Sequence, residues 1–182
     1  LNRMSPDKMR MIHGDLHYQN ILLTKSDGEH SFVLADPRGE LTGSDIYYDL
    51  GKLWHSFNGM YDLIHTDQFS LSYTQDSDSN INANLILGTK EIIASYNKLH
   101  RLIEESLPRY KFISDDKDWL IKTKFNEVMH FSSVIIFHLF DDGVENRGIA
   151  LYLVAVRLIN EFFNEFKEDL KCITDSEASM AS

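Results

Sequence analysis

The alternation of apolar and polar residues divides the chain into a short β-type opening and a long helical remainder. Residues 20–24 (N-I-L-L-T) and 31–36 (S-F-V-L-A-D) are brief runs of strand-forming residues, and residues 25–29 between them carry Asp27-Gly28. Two such runs joined through Asp-Gly predict a β-hairpin. Pro37, Gly39 and Gly43 then mark an irregular loop. Ser44 or Asp45 supplies an N-cap, after which Ile46, Leu50, Leu53, Trp54 and Phe57 form the apolar stripe of an amphipathic helix. Residues 74–84 are polar and turn-rich and read as a surface loop or short connector.

Three longer helical segments follow. Residues 85–107 place Leu87, Ile92, Ile93, Tyr96, Leu99 and Ile103 at helical spacing and end before Pro108. Residues 119–140 form the second. Residues 144–170 form the third, apolar nearly all round at its centre, which predicts a buried core helix. The expected fold is mainly α with a small β-hairpin (α+β). A two-stranded hairpin cannot stand alone, so it is expected to rest on the helices. Residues 1–64 hold the loop, hairpin and first helix, residues 65–173 a helical subdomain, and residues 174–182 a flexible tail.

Composition narrows the partners. The chain has 182 residues and a formal charge of −10. Without a basic block, it is not expected to bind nucleic acid, whose phosphates need clustered Lys and Arg. Its one cysteine, Cys172, makes no internal disulfide, so a reducing, cytoplasmic location is expected. The longest apolar run, residues 149–156, is far short of a bilayer span, and no signal peptide is visible, so no membrane partner is expected.

The chemistry concentrates in His13-Gly14-Asp15-Leu16-His17-Tyr18-Gln19-Asn20. Asn20 opens the first strand and Asp36 closes the second, so the hairpin brings them side by side. An amide oxygen and a carboxylate projecting from adjacent strand ends make a hard-oxygen site suited to Mg²⁺. Asp15, in the preceding loop, would lie close enough to act on a group bound there. Phosphoryl transfer needs that combination: a carboxylate to orient or deprotonate a hydroxyl, and metal ligands to neutralise phosphates.

This pattern, H-G-D-L-H-x-x-N-I-L followed by a hairpin and an Asp, resembles the catalytic segment of the aminoglycoside phosphotransferase and choline kinase family, relatives of protein kinases. Residues 36–40 (D-P-R-G-E), 48–56 (Y-D-L-G-K-L-W-H-S) and 59–64 (G-M-Y-D-L-I) resemble a branch found in capsular or surface polysaccharide biosynthesis proteins, where the phosphotransferase-like domain often accompanies a nucleotidyltransferase domain. The specific likeness covers residues 11–64. It implies that Asp15 is the catalytic base or hydroxyl-orienting residue and that Asn20 and Asp36 are Mg²⁺ ligands. It further implies that His13 braces the catalytic loop and that Asp49 accepts hydrogen bonds from the loop's backbone. ATP or GTP would be the donor and a small-molecule hydroxyl the acceptor: a sugar or cell-surface polysaccharide precursor, with an aminoglycoside or choline as the alternative.

Two departures from the pattern stand out. Asp36 is followed by Pro37-Arg38-Gly39 rather than Phe-Gly, and Gly51 stands where many relatives carry Ala, read here as a minor change at a tight helix contact. None of the nine glycines forms G-x-G-x-x-G. In the family the parts that cradle ATP precede the catalytic loop. The resemblance therefore implies the C-terminal lobe of a protein kinase-like fold with the N-terminal lobe absent. That lobe would be supplied in cis or trans, and the chain alone would bind ATP weakly.

Other readings stay open. The chain could be a truncated, non-catalytic binding or regulatory module. His13, Asp15 and His17 could instead hold a metal, although Gly14 and the following strand argue against the helix that their spacing suits. Asp45 reads as an N-cap. Arg38 and Glu40 would either contact substrate or metal or form a loop ion pair. His55, His130 and His138, with Phe162, Phe163 and Phe166, read as core residues, and Cys172 as inert.

Overall fold

The structure, a computed structural model, describes residue 4 and residues 9–26, 28–38, 43–77, 80–140 and 145–170. The first hairpin forms where the turn places it. β1 (Ile21–Ser26) pairs antiparallel with β2 (Glu29–Leu34), from Ile21 opposite Leu34 to Ser26 opposite Glu29. Gly28 at the turn has φ +86°, a conformation that glycine adopts without steric cost.

This hairpin does not rest on helices, contrary to expectation. Every β2 residue is exposed, and Leu23 and Phe32 are 85% and 61% accessible. The hairpin is fixed at its root instead. Ala35 N–H donates to Asn20 O at 2.9 Å, and Arg38 N–H donates to His13 O at 2.7 Å.

A second hairpin replaces the expected loop over residues 74–84 and the first turn of the expected helix. β3 (Phe69–Gln75) pairs antiparallel with β4 (Ile81–Leu87), Phe69 opposite Leu87. The reason is a period of two. Phe69, Leu71 and Tyr73 alternate with Ser70, Ser72 and Thr74, while Ala83, Leu85 and Leu87 alternate with Asn82, Asn84 and Ile86. The asparagines, weak strand formers, sit on the exposed face, while Phe69, Leu85 and Leu87 pack against the core.

The fold is thus mainly α with two small two-stranded sheets. Its helices are α1 (Ile46–Phe57), α2 (Tyr61–His65), α3 (Lys90–Ser106), α4 (Lys111–Ser114), α5 (Trp119–Phe140) and α6 (Glu145–Glu165). Thr89 caps α3, its Oγ1 accepting from Ile92 N–H at 3.4 Å. α5 packs against both α1 and α6. The main core joins Ile64, Phe131, Leu151, Val154 and Leu158, and Trp54 and Phe57 of α1 are fully buried.

Two further expectations change. The centre of α6 is not buried all round: Leu151, Val154, Ala155 and Leu158 face inward, whereas Tyr152 and Val156 face outward. Phe162 and Phe166 enter the core with Ile121, but Phe163 is exposed. Gly51 is also more than a minor departure. A Cβ there would lie 2.8 Å from the carbonyl carbon of Asn126, so α1 and α5 approach as closely as they do because residue 51 has no side chain. His55, His130 and His138 are buried, as the apolar segments around them predicted. Among the described residues no helix is long and apolar enough to cross a membrane. Glu40, Cys172 and residues 174–182 lie outside the described residues.

Candidate functional site

The loop over residues 12–20 is fastened to one face of α1. Asp45 caps the helix, its Oδ1 accepting from Tyr47 N–H at 3.0 Å. One turn on, buried Asp49 accepts from His13 N–H at 2.6 Å and from Gly14 N–H at 2.8 Å, one carboxylate oxygen to each donor. Charge-assisted bonds to backbone N–H groups are the strong kind. Ser56 Oγ, two turns further along, accepts from Tyr18 N–H at 3.0 Å. Within the loop, His13 Nδ1 accepts from Asp15 N–H at 3.3 Å, and the Asn20 amide nitrogen donates to Asp15 O at 2.9 Å. Gly14 has φ +82°, which lets the chain turn between these anchors.

Asp15 is 5% exposed and faces three basic side chains. Lys52 Nζ lies 3.0 Å from Oδ1; Arg38 Nε and His17 Nε2 lie 3.3 and 3.8 Å from Oδ2. Burial pushes the Asp15 carboxyl up, but the Lys52 hydrogen bond and charge, with His17 and Arg38, outweigh it and hold the group below the usual carboxylate range. Asp15 is therefore ionised at neutral pH. The opposite ring nitrogen of His17 lies 3.8 Å from Asp62 Oδ1, a second buried carboxylate, carried by α2.

Asn20 and Asp36 sit together at the open end of the first hairpin, where Asn20 faces Ala35 and Asp36 follows. The Asn20 amide nitrogen, bonded to Asp15 O, also lies 3.3 Å from His17 Nε2, so the loop engages the nitrogen end of this amide. Asp36 is exposed and has φ +51°, an uncommon conformation for a side-chain-bearing residue and one that clusters at functional positions. Arg38 spans the two carboxylates, with Nη2 3.9 Å from Asp36 Oδ2 and Nε on Asp15. The donor set of one amide oxygen and one carboxylate fits a Mg²⁺ completed by phosphates and water, not an all-protein cage. Among the described residues no group of three His, Cys, Asp or Glu side chains is placed to hold a metal.

Beside Asp15 opens a cleft of about 480 Å³, which Asn20 and Asp36 do not line. Its lining includes Asp15 and Arg38, Tyr48 and Lys52 of α1, and Asn126 of α5. Asp15 thus borders a cavity of ligand size and is bonded through its carbonyl to Asn20 of the candidate hard-oxygen pair.

The chain matches no protein-family model, no curated protein and no solved structure.

The structure brings Asp15, Asn20, His13 and Asp49 into one hydrogen-bonded unit and ties Asp36 to it through Arg38. Arg38 forms an ion pair as anticipated, though with Asp15 and Asp36. Lys52 received no role from the sequence, yet it is the cation nearest Asp15. The signal was present: Asp49 and Lys52 are three residues apart, so a helix places both on the face that meets the loop. Asp62 was missed for a different reason, since only the packing of α2 brings it to His17.

Proposed function

We propose that this chain is the catalytic lobe of a kinase-like small-molecule phosphotransferase, moving the γ-phosphate of ATP or GTP to a hydroxyl of a sugar or cell-surface polysaccharide precursor. The observation that carries this reading is ionised Asp15 bordering the cleft, on a loop clamped by Asp49 and linked to the hairpin end through Asn20 and Arg38.

In the reaction the acceptor hydroxyl oxygen forms a bond to the γ-phosphorus. The bond from that phosphorus to the β,γ-bridging oxygen breaks, and its electron pair leaves with the nucleoside diphosphate. The hydroxyl proton passes to Asp15 and from there to water. Asp15 is a weak base before the reaction, so its first task is to orient the hydroxyl, which is what a loose phosphoryl transition state needs. Asn20 and Asp36 would hold Mg²⁺, which when bound neutralises phosphate charge. Asp49 keeps the loop in place while this happens.

The first hairpin supports a second lobe in cis or trans. Leu23, Phe32, Met9 and Met11 expose apolar surface around the site, the kind of surface that a partner covers. An associated nucleotidyltransferase domain is a further candidate for that partner.

The test uses the protein at its natural length, with labelled ATP and GTP, Mg²⁺ and a panel of sugars. Asp15→Ala is expected to lower kcat by orders of magnitude while nucleotide affinity stays nearly unchanged. Unchanged turnover would remove Asp15 from the mechanism and the reading with it.

A further inference from the structure

We propose that the cleft beside Asp15 is the acceptor site and that it selects a sugar or polyol bearing an anionic group, a phosphate or carboxylate, through Lys52 and Arg38. This rests on the phosphotransferase reading and names its substrate class.

The placement comes first. Asp15 and Arg38 line the cleft, whereas Asn20 and Asp36 do not. A hydroxyl bound in the cleft therefore lies against Asp15. The lining suits a polyhydroxylated ring. Tyr48 offers an aromatic face held edge-on against His130, 4.4 Å between ring centroids, and Ser44 and Asn126 add hydrogen-bonding groups. Sugars pack their C–H faces on aromatic rings and bond their hydroxyls to side chains of this type.

The charges decide the class. Lys52 is only 13% exposed, so its ammonium is fixed where it is. One of its three donors faces Asp15, and two remain for a ligand. Arg38 approaches from the rim with a planar guanidinium suited to a carboxylate or phosphate. Of the two carboxylates on the lining, Asp15 already faces both cations, and Asp45 is engaged in capping α1. A cationic acceptor would meet Lys52 and Arg38 and would have only Asp45, one of whose oxygens already caps α1, to pair with. Choline and aminoglycosides are disfavoured on that ground, and an anionic sugar gains two partners.

The test measures binding alone, so it is independent of turnover. Calorimetry without nucleotide or Mg²⁺ compares glucose 6-phosphate, glucuronate, glucose, glucosamine and inorganic phosphate on the natural-length protein. The two anionic sugars are expected to bind at least tenfold tighter than glucose and glucosamine. Lys52→Met should bring them to the level of glucose. Arg38→Gln, on a side chain 67% exposed and not needed for folding, should weaken them severalfold. Equal affinity for all four sugars, or no response in Arg38→Gln with Lys52→Met folded, overturns the proposal. Inorganic phosphate binding as tightly as glucose 6-phosphate also overturns it, because the cations would then serve a donor phosphate. Anionic sugars that bind but are never phosphorylated would refute the phosphotransferase reading and leave the site standing. Phosphorylation of neutral or cationic sugars without preference would do the reverse.

Discussion

Glu127 of α5 should control how stability depends on pH, and the effect of replacing it should change sign near pH 5. Its carboxylate is 1% exposed and faces no cation at bonding distance; the Asn58 amide nitrogen donates to both oxygens, at 2.9 and 3.0 Å. Burial dominates and pushes its pKa from 4.5 to about 8. The folded state therefore holds a proton that the unfolded state releases. This group's contribution is complete below pH 4.5 and is lost as pH rises toward 8. At about 1.4 kcal/mol per pH unit, the loss by pH 7 is about 3 kcal/mol. Gln has the same shape and does not titrate, but its amide nitrogen confronts the Asn58 donor, a cost of about 1 kcal/mol. Glu127→Gln should thus be less stable than wild type by about 1 kcal/mol at pH 4 and more stable by about 2 kcal/mol at pH 7, crossing near pH 5. His130 slopes the other way. Burial lowers its pKa to about 4, so its contribution is present above pH 6.5 and fades as pH falls toward 4. Both proteins carry that slope, and it cancels in the difference. Urea denaturation from pH 4 to 8 reads the difference directly. Two parallel curves would refute the account of Glu127 as a carboxyl kept neutral by burial.

Two further outcomes follow from the helix that carries the site. Gly51→Ala should destabilise by about 1–3 kcal/mol, because the added methyl drives α1 from α5; thermal or urea denaturation checks it, and a neutral result would mean that the two helices slide apart freely. Asp49→Asn should cost about 2–4 kcal/mol, since one of the two loop N–H donors then faces an N–H; amide exchange at His13 and Gly14 should accelerate together, and unchanged protection would show that the loop is held elsewhere.

The parts of the fold that were legible in the sequence are those whose signal is local. Asp27-Gly28 between two strand-forming runs announces the first hairpin, Asp45 its helix cap, and residues 119–140 a helix found at those same bounds. The second hairpin was equally periodic, but its asparagines and serines resembled a loop, because weak strand formers on an exposed face are tolerated once the alternate residues are buried. The exposed side of α6 was illegible for another reason: apolar residues all round a helix say nothing of which neighbour is present. At the site, the order of Asp15, Asn20, Asp36 and Asp49 could be read along the chain. The cations around Asp15 could be read only in part: Lys52 shares a helical face with Asp49, but Arg38 and Lys52 come from different elements and meet only in three dimensions.

The contact at Gly51 has a consequence for how such a chain can change over time. Asp49 and Lys52 flank it on α1, and Asn126, across the contact, lines the cleft. A larger residue at 51 would meet the Cβ and backbone of Asn126 and the backbone of Glu127, so it is accommodated only by moving α1 from α5, which shifts both loop-facing side chains at once and widens the cleft. A lineage that enlarged residue 51 is therefore expected to alter the size of the cleft without touching Asp15.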